Sequence, residues 1–287
     1  MRRFWLLLLF FCSAVSQATE QPKVIEWIMV DFAPYYIMND KYEGTGRDES
    51  VIKLLEQAMP DYTFKRSLFP ASRAVHELSN PYNNYCMLSL YQSEHRRQHI
   101  VFSKHTSTVG LSPSIAIRKE LVNTLDLNTA KPVSLKTLLA DKHLALGVSM
   151  SRSFGKDIDN VINTSHDANI ISRPGRDTLA SLTYMLDKKR IDILLGYPSE
   201  HYYLARSMGF EDELTQLTLS EAPDLSLGYI GCTNNEQGSE HIKQLDITLE
   251  KIAHTQAFHD VMIRWLPDNL QPILEKRLIK RNESAAH

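Results

Sequence analysis

The segment SLYQSEHRRQHIVFSKH, residues 89–105, packs three histidines and two arginines into one short stretch. It follows the apolar run YCML at 85–88, which is typical of a buried strand, and the chain turns apolar again at Val101 and Phe102. A polar turn directly after a buried strand is expected at the edge of an open α/β sheet, because the carboxyl ends of the strands lie there. The segment therefore favours an α/β architecture.

Strands and helices alternate on both sides of this segment. A first unit has predicted strands at 24–30, 62–68 and 84–90 and helices at 49–59 and 72–78. A second unit has predicted strands at 114–119, 143–149, 169–172 and 191–195 and helices at 134–140, 153–161 and 176–188. A closing segment has a strand at 225–232 and helices at 236–253 and 255–265. This alternation predicts mostly parallel sheets covered by helices.

The closing segment is too small to form a third domain, so the simplest packing returns it to the first unit. The chain then forms two lobes that two crossovers join, with a cleft between them. Lobe 1 is predicted to comprise residues 22–112 plus 224–270, and lobe 2 residues 113–223. Residues 271–287 are predicted to be a C-terminal tail.

The N-terminal sequence MRRFWLLLLFFCSAVSQATEQ predicts export. A short basic start precedes an apolar block, and Ser16-Gln17-Ala18 fits the small-x-small pattern of a cleavage site, so residues 1–18 are expected to be a signal peptide. An uncleaved N-terminal anchor is the alternative. We expect a periplasmic protein of a Gram-negative cell, since nothing near Cys12 resembles a lipoprotein cleavage site.

The composition argues against several classes of partner. The formal net charge is −2 over 287 residues, which disfavours a general electrostatic role on nucleic acid or on anionic membrane. His95 and His99 are four residues apart, but no third ligand at a recognisable spacing accompanies them. Neither a metal nor another cofactor is predicted, and we expect a monomer.

Four segments, in order, resemble one family. They are DFAPYYIMNDKYEGTGRDESVIKLL (31–55), SLYQSEHRRQHIVFS (89–103), LGVSMSRSFGKDID (146–159) and KKRIDILLGYP (188–198). They resemble the type II periplasmic solute-binding proteins, in the group known as extracellular solute-binding protein family 3, whose best-known members bind amino acids for ABC importers. The resemblance covers nearly all of the chain after the signal peptide, and it implies a two-lobed α/β fold with a ligand cleft.

The resemblance assigns a ligand-binding role to the cationic turn. In the family, the arginine of a Thr/Ser-x-x-Arg turn grips a ligand carboxylate through two parallel hydrogen bonds, and Arg96 occupies that place here. Ser89 and Tyr91 lie just before it and are expected to offer polar or backbone contacts. An exposed arginine on a solvated turn is the alternative.

Other candidate contacts follow from their positions at strand ends. Phe32 and Tyr35 follow the first strand as a possible aromatic wall, and Arg73 follows the second; ordinary packing and a surface location are the alternatives. Ser151, Arg152 and Ser153 precede a helix in lobe 2, where backbone N–H groups suit an anion, although plain capping by Ser153 also explains them.

One position departs from the family pattern. Amino-acid binders hold the ligand ammonium with an acidic residue after a strand of the second lobe, and Tyr197 stands there in this sequence. Without that carboxylate a buried ammonium lacks its partner, so an ordinary α-amino acid is not the expected ligand.

Two cysteines follow the predicted cleavage site, Cys86 and Cys232. One disulfide or two buried free thiols are both compatible with the residues alone. In the fold that the resemblance implies, the returning strand lies beside the third strand, so a disulfide is expected.

These observations leave three functions to compare. The first is a binding protein that delivers a small polar or carboxylate-bearing solute to an ABC importer or reports it to a membrane sensor. The second is a periplasmic enzyme on the same scaffold, similar to cyclohexadienyl dehydratases, with Asp31, Glu94 and His95 as candidate acids or bases. The third is an interaction module without a small ligand. We expect the binding protein, which is not an enzyme.

Overall fold

The computed structural model of the protein describes residues 23–38, 41–150, 152–174 and 178–285, so the predicted signal peptide lies outside the described residues. Within these ranges the strands are β1 (Lys23–Met29), β2 (Tyr62–Leu68), β3 (Tyr85–Leu90), β4 (Ile100–Leu111), β5 (Ser114–Arg118), β6 (Ala145–Ser149), β7 (Asn169–Arg173), β8 (Ile193–Gly196), β9 (Leu214–Thr218) and β10 (Leu225–Thr233).

The helices connect these strands and cover the sheets. In the described part of the chain they are α1 (Arg47–Ala58), α2 (Ala71–Ser79), α3 (Glu94–Arg97), α4 (Lys119–Thr124), α5 (Leu135–Leu139), α6 (Lys156–Thr164), α7 (Thr178–Asp187), α8 (Pro198–Met208), α9 (Glu236–Ile252), α10 (Gln256–Ile263) and α11 (Gln271–Ala285). None of these helices has both the length and the apolar character needed to cross a bilayer.

The strands form two five-stranded sheets. The first has the order β2-β1-β3-β10-β4 and the second the order β7-β6-β8-β5-β9. Strand β1 pairs in parallel with β2 and β3, and β6 pairs in parallel with β7 and β8, whereas β10 and β5 each pair antiparallel with both of their neighbours. The predicted two-lobed α/β class is confirmed, and each sheet is mixed because antiparallel strands complete its parallel half.

Each sheet has its own apolar core. Ile25, Trp27 and Ile28 of β1 are fully buried against α1, α9 and α10 in the first, with Trp27 edge-on to Phe64 at 5.8 Å between ring centroids. The second sheet buries apolar side chains on both of its faces, against α5 and α6 on one and α7 on the other. Each sheet thus has a core of its own, and a small buried cluster of Ile37, Tyr203 and Trp265 packs residues of the two lobes together.

The chain crosses between the sheets twice. Strand β4 ends at Leu111 and β5 begins at Ser114, and the second crossing lies at 219–224, between β9 and β10. Both crossings fall close to the predicted lobe boundaries at 112/113 and 223/224, and the boundaries themselves stay a prediction.

The C-terminal segment differs from the predicted tail at 271–287. Residues 271–285 form α11, and Leu274 and Leu278 are buried in the first core. These two leucines are four residues apart, so they lie on one face of a helix and can pack together against the sheet. The many charged residues of the segment obscured this short apolar face in the sequence.

The predicted disulfide between Cys86 and Cys232 is confirmed. The two residues face each other across the antiparallel pair of β3 and β10, and both side chains are fully buried. The bond joins residues 146 positions apart in the chain, so it closes a loop that contains the whole second sheet.

We expect the double variant Cys86→Ala/Cys232→Ala to unfold more easily. Cross-linking so long a loop stabilises the folded state by up to about 5 kcal/mol on the chain-entropy account. The measurement is urea unfolding followed by tryptophan fluorescence, which the buried Trp27 and Trp265 report for the first sheet. Unchanged unfolding midpoints in the variant, or two thiols titrated in the denatured unreduced protein, would contradict the expectation.

Candidate functional site

A cavity of about 260 Å³ lies between the two sheets. Its walls are residues that follow β1, β3, β6 and β8, together with the N-terminus of α1. The first lobe contributes Phe32, Tyr35, Arg47, Ser89 and Tyr91, and the second contributes Arg152, Ser153 and Tyr197. The position agrees with the rule that open α/β sheets bind ligands beyond the carboxyl ends of their strands.

Arg47 is the first residue of α1, and the turn before it fixes its position. The Arg47 N–H donates to Pro34 O at 3.0 Å, and the Asp48 N–H donates to Tyr35 O at 3.0 Å, so this turn satisfies two orphan amides of the helix. The residue between the turn and Arg47 must be glycine, because a Cβ at Gly46 would lie 2.4 Å from Tyr35 O. The sequence Gly46-Arg47-Asp48 therefore places the arginine at the cavity wall.

Neighbouring polar groups hold the guanidinium of Arg47. Its Nε donates to Asp48 Oδ1 at 2.9 Å, and its Nη2 donates to Ser89 Oγ at 2.9 Å. The ring of Tyr35 lies against the guanidinium, 4.4 Å from Cζ to the ring centroid. Burial, the largest single influence, lowers the pKa of Arg47, but Asp48, Tyr35 and Tyr91 together raise it more, so the net pKa is raised. The group is a permanent cation in the cavity wall.

Ser89 ends β3 in a backbone conformation that favours glycine, with φ of 59°. Its hydroxyl accepts from Arg47 Nη2 and lies 2.9 Å from Thr108 Oγ1 on β4. The adjacent strand passes so close that a Cβ at Gly228 would lie 2.7 Å from Ser89 Cα. Backbone strain of this kind persists where the surrounding structure holds a residue in place, and here it holds the Ser89 hydroxyl that accepts from Arg47.

The second lobe contributes an arginine with a different partner. Arg152 donates through Nη1 to Glu200 Oε2 at 3.0 Å and through Nη2 to Glu200 Oε1 at 2.6 Å, which is the two-pronged geometry of a strong ion pair. The Glu200 side chain is 0% exposed and that of Arg152 is 23% exposed. Burial, the largest single influence, lowers the pKa of Arg152, but Glu200, Tyr35 and Tyr197 together raise it more, so the net pKa is raised.

Glu200 is the third residue of α8 and also caps that helix. The Tyr197 N–H donates to Glu200 Oε2 at 3.2 Å, which satisfies one of the free amides at the start of the helix. The face of the Arg152 guanidinium lies near the rings of Phe32, Phe154 and Tyr197, with distances of 5.6, 5.3 and 5.2 Å to the centroids. The pair is therefore held by α8 and by aromatic rings from both lobes.

Two tyrosines of the first lobe bond directly to the second. Tyr35 OH donates to Glu200 Oε1 at 3.0 Å, and Tyr91 OH lies 2.8 Å from Tyr197 OH. Burial raises the pKa of Tyr35 well above its ordinary value, and the Glu200 carboxylate adds to the rise. Burial also raises the pKa of Tyr197, as does Tyr91. Both phenols keep their protons, so these contacts hold the lobes together across the cleft.

The structure brings together most of the residues predicted from the sequence. The cavity lining contains seven of them: Phe32, Tyr35, Ser89, Tyr91, Arg152, Ser153 and Tyr197. Ser153 does not cap the following helix, because α6 begins at Lys156 and the Ser153 hydroxyl bonds to Asp159 instead. The predicted contact Ser151 lies outside the described residues.

Arg96 and Arg73 do not reach the cavity lining. Arg96 Nη1 donates to Tyr91 O at 3.1 Å. The Arg73 side chain is 65% exposed and pairs with Glu77 at 2.7 Å along α2. Their roles as ligand contacts stay predictions that the geometry does not support.

Arg47, Asp48, Thr108 and Trp265 also line the cavity, and sequence reasoning did not single them out. The segment Gly46-Arg47-Asp48 entered the sequence analysis only as part of the stretch 31–55 that resembles the family. Arg47 could have been singled out from its place in this segment, because it begins a helix at the sheet edge where open α/β sheets bind ligands. The described residues contain no group of three or more His, Cys, Asp or Glu side chains placed for an ion.

No protein-family model and no curated protein matches the chain. Solved structures do match, over nearly their whole length. The chain has the type II periplasmic-binding-protein fold.

Three solved structures illustrate the match. A probable amino-acid ABC transporter extracellular-binding protein from Bacillus subtilis is 16% identical, with a TM-score of 0.64, over 86% of this chain and 99% of that one. A structure from work on glutathione import through the cystine ABC importer of Streptococcus mutans is 12% identical, with a TM-score of 0.63, over 87% and 99%. A histidine kinase sensor domain with similarity to periplasmic binding proteins is 13% identical, with a TM-score of 0.58, over 85% and 96%. At these identities the likeness defines the fold.

The buried pair of Arg152 and Glu200 generates a stability prediction. Arg152→Ala leaves a carboxylate with no exposed surface unpaired, which typically costs about 3–5 kcal/mol of the free energy of unfolding. The double variant Arg152→Ala/Glu200→Gln removes the stranded charge, so it should be more stable than Arg152→Ala alone. Urea unfolding followed by far-ultraviolet circular dichroism, which reports both lobes, measures the stability of both variants.

Arg73→Ala is the matched control for this test. It breaks an arginine–carboxylate pair of similar length on the protein surface, where such pairs contribute at most about 1 kcal/mol. If Arg152→Ala is as mild as Arg73→Ala, or the double variant is less stable than the single one, the pair is not the buried anchor described here.

His201 generates a pH prediction. Its side chain is 1% exposed beneath the cavity wall, and burial lowers its pKa from 6.5 to about 4. The folded state therefore disfavours the protonated form. The stability contribution is full above the unfolded pKa of 6.5 and is lost as pH falls towards 4. At about 1.4 kcal/mol per pKa unit the loss is roughly 3 kcal/mol.

We expect His201→Gln to flatten the decline of unfolding free energy between about pH 7 and pH 4, relative to the native sequence. The exposed His143 supplies the control variant, His143→Gln, which should leave the decline unchanged. Urea unfolding across this pH series is the measurement. Parallel curves for His201→Gln and the native sequence would show that His201 does not carry the dependence.

Proposed function

We propose that the protein is an exported solute-binding protein, not an enzyme, that closes its two lobes around a small carboxylate-bearing metabolite. The observation that carries the proposal is the guanidinium of Arg47 in the cavity wall. Its Nε and Nη2 are engaged with Asp48 and Ser89, whereas its Nη1 makes no hydrogen bond to any described residue. This free end presents N–H donors to the cavity, and a charge-assisted hydrogen bond from a guanidinium suits a carboxylate acceptor.

The surrounding geometry supports binding in preference to catalysis. A general acid or base needs a titratable group within reach of the substrate that is free to exchange a proton. Among the described residues Asp48 is the carboxylate of the lining, and Glu200, outside the lining, is bonded to the lining residue Arg152, so each carboxylate is already paired with an arginine. The three catalytic candidates from the sequence lie outside the lining: Glu94 and His95 are on the exposed helix α3, and Asp31 follows β1. A carboxylate that is permanently paired with an arginine is not free to exchange a proton, but the arginine can still position a ligand.

The cross-cleft contacts support a closing motion. Tyr35 and Tyr91 of the first lobe reach Glu200 and Tyr197 of the second, and these bonds exist only when the lobes are together. A ligand between the lobes adds its own contacts to the same closed arrangement, and so shifts the population towards it.

The structural comparisons support a membrane protein as the partner that accepts the solute. Proteins of this fold include a probable ABC transporter binding protein and a histidine kinase sensor domain. We propose that this chain, exported to the periplasm by its N-terminal signal, works as a monomer and presents its closed form to an ABC permease or to a membrane sensor protein.

Mass spectrometry of the small molecules released from natively purified protein tests the proposal. We expect a carboxylate-bearing compound in near-stoichiometric amount. Calorimetry with that compound should then show that Arg47→Gln weakens binding by about 2–5 kcal/mol, because the ligand carboxylate loses its charged partner. Arg47→Lys should also bind poorly, since an ammonium group cannot replace the planar guanidinium that Asp48 and Ser89 hold in place.

Arg96→Gln and Arg97→Gln are the matched controls and should change affinity little. They lie on α3, outside the lining, and keep the rest of the cavity intact. If Arg96→Gln weakens binding more than Arg47→Gln, the carboxylate is held at the turn that the sequence resemblance implies. If no compound is released and none from a metabolite library raises the melting temperature, the protein is not a solute-binding protein.

A further inference from the structure

We propose that the solute is an aromatic monocarboxylate that carries no ammonium group. The inference rests on the proposed function of the same cavity and narrows its substrate class. Three features of the site carry it: the pairing of its charged groups with one another, the fixed position of Glu200 next to the lining residue Arg152, and the aromatic rings of the lining.

The charges of the cavity cancel within the described residues. Arg47 is paired with Asp48, whose side chain is 1% exposed, and Arg152 is paired with Glu200. An incoming ammonium would find no free carboxylate, and burying it unpaired would be costly. Tyr197 stands where amino-acid binders have an acidic residue, and its hydroxyl is engaged with Tyr91. The cavity therefore disfavours α-amino acids and amines.

Glu200 cannot move aside to release its arginine. Four hydrogen bonds hold its carboxylate, from Arg152 Nη1, Arg152 Nη2, Tyr35 OH and Tyr197 N. Both terminal nitrogens of Arg152 are therefore occupied, and a second carboxylate on the ligand would compete with a fixed internal anion. Among the described lining residues Arg47 keeps a terminal nitrogen, Nη1, without a hydrogen bond, whereas Arg152 keeps only its Nε, so the cavity has one terminal guanidinium nitrogen for a ligand and matches one carboxylate per ligand.

The remaining lining is suited to an aromatic body. Phe32, Tyr91, Tyr197 and Trp265 present rings from both lobes. Aromatic rings pack favourably edge-to-face or offset on one another, beyond the gain from burying their area. The cavity of about 260 Å³ is slightly smaller than the roughly 300–1,000 Å³ of typical ligand sites, which fits one ring system with a short acid chain.

The test is calorimetry with a matched series of compounds. 3-Phenylpropionate and indole-3-propionate carry one carboxylate and a ring; phenylalanine and tryptophan add only the ammonium. Phenylsuccinate adds a second carboxylate, phenethylamine carries an ammonium and no carboxylate, and hexanoate lacks the ring. We expect at least one aromatic acid to bind, and its amino-acid counterpart to bind about a hundredfold more weakly or not at all. Arg47→Gln should abolish that binding, whereas Arg97→Gln should preserve it.

The outcomes separate this inference from the proposed function. If phenylalanine or tryptophan binds as tightly as its deaminated counterpart, or if hexanoate or phenylsuccinate binds as tightly as 3-phenylpropionate, the inference is wrong and the binding function stands. Release of a non-aromatic acid or an amine from natively purified protein has the same meaning. Release of an aromatic monocarboxylate supports the inference even if no member of the series binds. Absence of any released or bound compound overturns both.

Discussion

The site is organised around one carboxylate that has no access to water. Glu200 is 0% exposed, and a buried anion is tolerated only when cations and hydrogen-bond donors surround it. Its donors come from three places: the start of α8, the loop after β6, and the turn after β1 in the other lobe. This single requirement orients Arg152, holds Tyr35 in place and ties the two lobes together.

The same requirement decides which groups of the second lobe line the cavity. Glu200, at the third position of α8, is bonded to Arg152 and lies outside the lining, whereas Tyr197 lies in it. On the opposite wall, Arg47 is held by Asp48, Ser89 and the ring of Tyr35, so its free end is fixed in direction before any ligand arrives. Such preorganisation favours affinity, because little ordering remains to be done on binding.

The sequence was sufficient for the fold and for most of the cavity wall. Alternating apolar runs identified β1 to β3 and α1, and positions after strand ends identified Phe32, Tyr35 and Tyr197. Strand β4 was harder to foresee, because Thr106, Ser107 and Thr108 are polar residues that pairing with β10 nevertheless buries. The choice between Arg47 and Arg96 was not accessible, since residue spacing does not encode where an arginine on a four-residue helix points. The pairing of Arg152 with Glu200 joins residues 48 positions apart, which only the folded chain reveals.

The path of the chain through the two sheets has a consequence for how the protein is made. All strands of the second sheet lie between residues 114 and 218, so that sheet is complete before β10 has been synthesised. The first sheet needs β10 between β3 and β4, and its core needs α11 near the end of the chain. As the chain emerges, the inserted lobe can therefore fold first while β3 and β4 keep open edges, the state in which nascent proteins aggregate most readily. A chain that stops short of β10 would retain an intact second sheet and permanently expose those edges.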